Sequence, residues 1–149
     1  MNKDDLERLT NAVRLFRYAI EASDKRRFPA SLKQFPRGSC GDAVLLHGTY
    51  LMQNDFGEFS YVSGERGDCR NNTWISHAWL EKGNLVVDIT TDQFSEIADE
   101  VIICLDSAWH KPFKKKIENK ADYRIYDINT VASLNKAYEE IMRHIKITL

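Results

Sequence analysis

Apolar residues recur at helical spacing at both ends of the chain. Leu6, Leu9, Val13, Phe16 and Ile20 step by 3, 4, 3, 4, and so do Val131, Leu134, Tyr138, Ile141 and Ile145. Each set predicts an amphipathic helix with one face against a core. Asp4 and Asp5 in the first turn suit the positive end of the first helix, and Asn129 or Thr130 is the expected cap of the last. A third helix is predicted from about Cys40 to Asn54. Ala43, Val44, Leu45, Leu46, Tyr50, Leu51 and Met52 make it apolar nearly all round, so it should be central and buried. Gly48 inside it costs about 1 kcal/mol relative to Ala, which is tolerable where another backbone packs closely. Residues 28–39, holding Pro29, Pro36 and Gly38, read as a turn-rich connection.

From Gly57 onward the pattern changes to that of strands: Glu58–Ser63, Trp74–Lys82, Leu85–Thr90 and Glu100–Asp106, with Asp122–Ile128 as one more. A polar loop, 64–72, separates the first two. No internal repeat is present. Two helices, a run of antiparallel strands and a closing helix predict an α+β fold. The length of 149 residues is close to one domain of roughly 150, so residues 1–149 are read as a single domain.

Composition narrows the function classes. Hydrophobic residues at 43% and charged residues at 29% exclude collagen-like and largely disordered chains. A net charge of −1 gives no global attraction to nucleic acid or anionic membrane. The longest apolar run, Val101–Leu105, is far short of the ~18 residues that cross a bilayer. A charged start (Lys3-Asp4-Asp5) and three cysteines, an odd number, fit a reducing, cytoplasmic setting with free thiols.

Those thiols lead to the chemistry. Cys40 follows Gly38-Ser39 and opens the buried helix, where the dipole and exposed N–H groups favour a thiolate. Gly83-Asn84 is a two-residue hairpin signal. With Lys82 opposite Leu85, Trp79 faces Asp88 and His77 faces Thr90, so His77 and Asp88 are diagonal neighbours on one face, roughly 7–8 Å apart at the backbone. Ala78, Leu80, Leu85, Val87 and Ile89 collect on the other face as core. A three-residue loop would instead part His77 from Asp88. A thiol, an imidazole and a carboxylate so placed are the parts of a nucleophile, a base and the group that orients the base.

His77-Ala78-Trp79-Leu80-Glu81, followed by Val87-Asp88-Ile89-Thr90, resembles the "HAW…D-x-T" core of the transglutaminase-like superfamily, within the wider papain-like cysteine fold. Gly38-Ser39-Cys40 before a helix is similar to the nucleophile segment of papain-like enzymes. The order Cys, His, Asp is the family's, and the resemblance spans roughly residues 34–92. It implies Cys40 as nucleophile, His77 as base and Asp88 as orienter in acyl transfer or amide hydrolysis. The Cys40 N–H and Gln34, six residues upstream, would supply the oxyanion hole. The chain departs from the pattern at Gly41, where papain-like enzymes carry an aromatic, at Asp88, where they carry Asn, and at Ile89, where transglutaminases often have Pro.

The expected activity is cysteine-dependent acyl transfer on a protein or peptide, as protease, deamidase or transglutaminase, with no metal or organic cofactor. The substrate would approach between the 64–73 loop and the Cys40 helix, with Trp79, Glu65 and Arg66 as contacts. A catalytically silent interaction module on the same scaffold is the alternative. Nucleic-acid binding through residues 111–120 ranks third. Cys69 reads as a free loop thiol, Cys104 as a core residue and His47 as a hydrogen-bonded buried group. Zinc binding by Cys40, Cys69 and His77 lacks CxxC or HxxxH spacing, and no phosphate-cradling glycine motif is present. Ser107–Phe113 with Lys114–Lys116 reads as a solvated connection anchored by an aromatic.

Overall fold

A computed structural model describes residues 1–148. Three helices, α1 (Lys3–Ala22), α2 (Cys40–Gln53) and α3 (Ile128–Thr148), accompany a five-stranded antiparallel sheet. Its strands are β1 (Ser60–Arg66), β2 (Ile75–Lys82), β3 (Leu85–Asp88), β4 (Ile102–Leu105) and β5 (Lys114–Lys120), in the spatial order β4-β3-β2-β1-β5. The architecture is α+β, and no helix among the described residues is long and apolar enough to cross a membrane.

Alternation along β2 and β3 divides the apolar residues between two faces. Ala78, Leu80, Leu85, Val87 and Ile89 join the main core, into which α1, α2 and α3 send Phe16, Ile20, Leu46, Leu51 and Ile141. Val62, Trp79, Val86 and Phe113 form a smaller cluster on the reverse face. The β2–β3 register pairs Lys82 with Leu85 and Leu80 with Val87, as a two-residue Gly83-Asn84 turn requires. α2 is buried from Ala43 to Leu51. At Gly48 a Cβ would stand 2.3 Å from the Ala121 carbonyl oxygen, so this helix position needs glycine to let the backbone through.

Several elements differ from the sequence expectation. β1 extends past Ser63 because it pairs on both sides, with β2 as far as Arg66 and with β5 as far as Glu65. β5 itself, exposed over nearly its whole length, carries no alternation of apolar and polar residues to announce a strand. Residues 122–128 form no strand. Asp122 instead caps a short 3₁₀ turn, Tyr123–Ile125, by accepting the Arg124 N–H. α3 is capped by Asp127 rather than Asn129 or Thr130, since its carboxylate accepts the Thr130 N–H and hydroxyl. Cys104 is exposed, not core, because β4 is an edge strand.

Candidate active site

β3 ends at Asp88, and the aspartate itself ends it. Its Oδ1 accepts the Thr90 N–H at 3.0 Å, turning the chain out of the sheet. Oδ2 is left facing the Trp79 side, 2.7 Å from His77 Nε2. Both side chains are buried, with Asp88 2% and His77 3% exposed. The diagonal pairing expected of the hairpin is therefore a direct hydrogen bond.

A second imidazole reaches the same oxygen. His110 Nε2 also lies 2.7 Å from Asp88 Oδ2, and Ser107 Oγ lies 2.7 Å from His110 Nδ1. The 107–113 segment is thus no solvated connection, since Ser107, His110 and Phe113 are all buried. Its backbone is closed by Lys111 N–H to the Ser107 carbonyl and Phe113 N–H to the His110 carbonyl. Nothing in its sequence marks His110 as a partner of Asp88, because that contact depends on how the chain returns after an edge strand.

Charge follows from this arrangement. Burial pulls the His77 pKa down, but the Asp88 carboxylate, and after it Cys40, outweigh burial and raise it to about 9. Burial opposes ionisation of Asp88 too, yet His77 and His110 hold the carboxyl well below the usual carboxylate range. The result is a buried imidazolium–carboxylate pair. Rings enclose it: Phe94 and Trp109 meet His77 edge-on at centroid distances of 5.1 and 5.7 Å, and Trp79 stacks at 5.9 Å. Nδ1 of His77 is buried without a hydrogen-bond partner among the described residues.

Cys40 and His77 line one cavity of about 380 Å³, together with Gly41, Tyr61, Ser63 and Glu65. Ser39, at the start of α2, does not cap the helix with its side chain; its hydroxyl donates to the Ser31 and Arg37 carbonyls instead. The first-turn N–H groups, Cys40's included, thus receive no side-chain cap from Ser39. A Cβ on Gly41 would stand 3.1 Å from the Tyr61 hydroxyl, so the small residue at 41 makes room for Tyr61 beside the thiol. Burial, then Cys40, pushes the Tyr61 pKa up to about 12, which keeps its hydroxyl a neutral donor. Tyr61 escaped the sequence reading because only the strand register brings it to Gly41.

No protein-family model matches the chain, and neither a curated protein nor a solved structure matches it.

The remaining expected site residues are scattered. Glu65 lines the cavity and accepts the Trp74 indole N–H at 3.1 Å. Arg66 lies instead over Trp109 and Phe113, 4.8 and 5.0 Å from the ring centres, and pairs with Glu96. Trp79 is fully buried, donates to Glu81 at 3.0 Å and does not line the cavity, so it is a core residue rather than a substrate contact. Gln34 is exposed in the 28–39 connection and does not line the cavity either. His47 is buried but stacks on Phe16 at 4.9 Å, and its Nε2 makes no hydrogen bond among the described residues. Burial lowers its pKa to about 3, so it is a neutral ring of the core.

His77, Asp88 and His110 also offer metal-ligating atoms within 4.8 Å of one another. Their 2.7 Å spacings are those of hydrogen bonds, and two N–H donors already occupy the shared oxygen.

Proposed function

We propose that this chain is a cysteine-nucleophile acyl-transfer enzyme of transglutaminase-like fold, acting on an amide of a protein or peptide. The observation that carries the reading is the 2.7 Å bond from His77 Nε2 to Asp88, on a ring that shares the Cys40 cavity. It commits one ring nitrogen to the carboxylate and leaves Nδ1 as the nitrogen for proton exchange. In the imidazolium Nδ1 already holds the proton taken from the thiol, and the Cys40 thiolate attacks the carbonyl carbon. The Cys40 N–H and the Tyr61 hydroxyl are the donors for the developing oxyanion. As the tetrahedral species collapses, the C–N bond breaks and Nδ1–H protonates the departing amine. Water or a second amine then attacks the thioester, and its proton returns through Nδ1 to the thiol.

Residue-resolved alkylation tests this, with exposed Cys69 and Cys104 as internal references. Cys40 should react faster than both at pH values well below ~8.5, the ordinary thiol value. His77→Ala should slow it by tenfold or more, on the order of a lost general base. A Cys40 that reacts slowly and ignores His77 sinks the enzyme reading and leaves an interaction module. Peptide libraries read by mass spectrometry then separate cleavage, deamidation and crosslinking.

A further inference from the structure

The hydrogen-bonded chain does not stop at Asp88. An ionised carboxylate only accepts hydrogen bonds, so each Nε2 at 2.7 Å from Oδ2 carries a hydrogen. With Nε2–H fixed on His110, the Nε2–H tautomer has its acceptor at Nδ1, 2.7 Å from the Ser107 Oγ that can donate to it. In that tautomer the chain has one polarity: Ser107 O–H to His110, His110 N–H to Asp88, and His77 N–H to the same oxygen. Thr90 N–H on Oδ1 completes the clamp on the carboxylate.

We propose that His110, with its Nε2–H set by Asp88 and its Nδ1 met by Ser107, is a positioning residue of the Cys40 site: its hydrogen bond to Asp88 Oδ2 fixes that oxygen against His77 and limits how firmly the carboxylate holds the His77 proton. The proposal rests on the acyl-transfer reading for its purpose but not for its geometry. A base that must take a proton and later release it works best when its partner does not hold it too strongly. The titratable groups facing His77 are Asp88 from β3, Cys40 from α2 and His110 from the 107–113 turn, with ring centroids of the two histidines 6.3 Å apart. The other faces are closed by Trp79, Phe94, Trp109 and Phe113, which do not titrate.

Nitrogen-15 NMR of the histidine rings tests the proposal on the intact chain. In the wild-type protein His110 should show the Nε2–H tautomer; an Nδ1–H tautomer overturns the arrangement without any mutation. His110→Phe removes the competing donor, so the His77 titration midpoint should rise by about one pH unit, as for loss of a hydrogen bond at a charged partner. His110→Gln, which restores an amide N–H near the Nε2 place, should return the midpoint toward wild type, and the alkaline limb of Cys40 alkylation should move with it. An unmoved midpoint in His110→Phe, or one shifted as far by His110→Gln, overturns the proposal. Fluorophosphonate labelling of Ser107 that is lost in His110→Phe would also overturn it, by making Ser107 a nucleophile. Slow Cys40 alkylation in the wild type, with the titrations as expected, removes the acyl-transfer reading while the histidine coupling stands.

Discussion

Two imidazoles meet one carboxylate oxygen at Asp88, and the His77–Asp88 pair ties the stability of the fold to pH. The folded His77 pKa is raised from 6.5 to about 9. Its contribution is therefore complete below the unfolded value near 6.5 and fades as pH climbs through about 9. Asp88 works in the opposite sense. Its pKa is lowered on folding, so its contribution is present above the unfolded value near 3.8 and is lost as pH falls toward the depressed one. Urea midpoints measured against pH should be highest between these limits, and His77→Leu should flatten the alkaline side. Asp88→Ala leaves both imidazoles without their acceptor and should cost about 3–5 kcal/mol, the range for breaking a buried pair. His77 and Asp88 were legible in the sequence because a two-residue turn dictates strand register. His110 and Tyr61 were not, since no local pattern ties residue 110 to residue 88 or residue 61 to residue 41.

At the scale of elements, α2 is held where its first residue can serve the cavity. Its apolar circumference foretold burial, and Gly48 foretold a close neighbour, which proves to be the backbone at Ala121. Gly48→Ala removes the helix penalty of glycine but drives a methyl into that carbonyl. Overpacking should win, destabilising the fold by about 1–3 kcal/mol in urea unfolding. A gain in stability would show that the two segments can move apart. β5 marks where sequence pattern failed. Lys114, Lys115 and Lys116 lie on a margin of the sheet, where no alternation is enforced because neither face is deeply covered. Its place is set by the β1 ladder, through a register shift between Tyr61 and Val62.

Across the whole molecule, Arg17 binds the helical layer to the return path after β3. It is 4% exposed on α1, donates to the Ile89 and Glu100 carbonyls, and pairs with Asp92 and Glu21. Phe35 from the connection before α2 packs against its guanidinium at 4.7 Å. One side chain thus gathers α1, that connection and residues 89–100. Arg17→Met should quicken amide exchange in 89–100 more than in β2 and lower stability by about 1–3 kcal/mol, the cost of stranding buried acceptors. Uniform change across the chain would contradict this local role. The Leu6–Ile20 periodicity foretold the helix, whereas a buried arginine among its apolar positions became intelligible only with its acceptors in place.

The two margins of the sheet are unequal. β4 offers a short free edge of four residues, and β5 offers a longer one, Lys114–Lys120, lined with ammonium groups. Unpaired backbone at such an edge invites a second copy to zip on, and like charges brought face to face resist it. Threonine in place of Lys114, Lys116 and Lys120 should let copies join margin to margin, seen as concentration-dependent growth in light scattering. The lysines that hid this strand from view would then be what keeps this edge from pairing with its like.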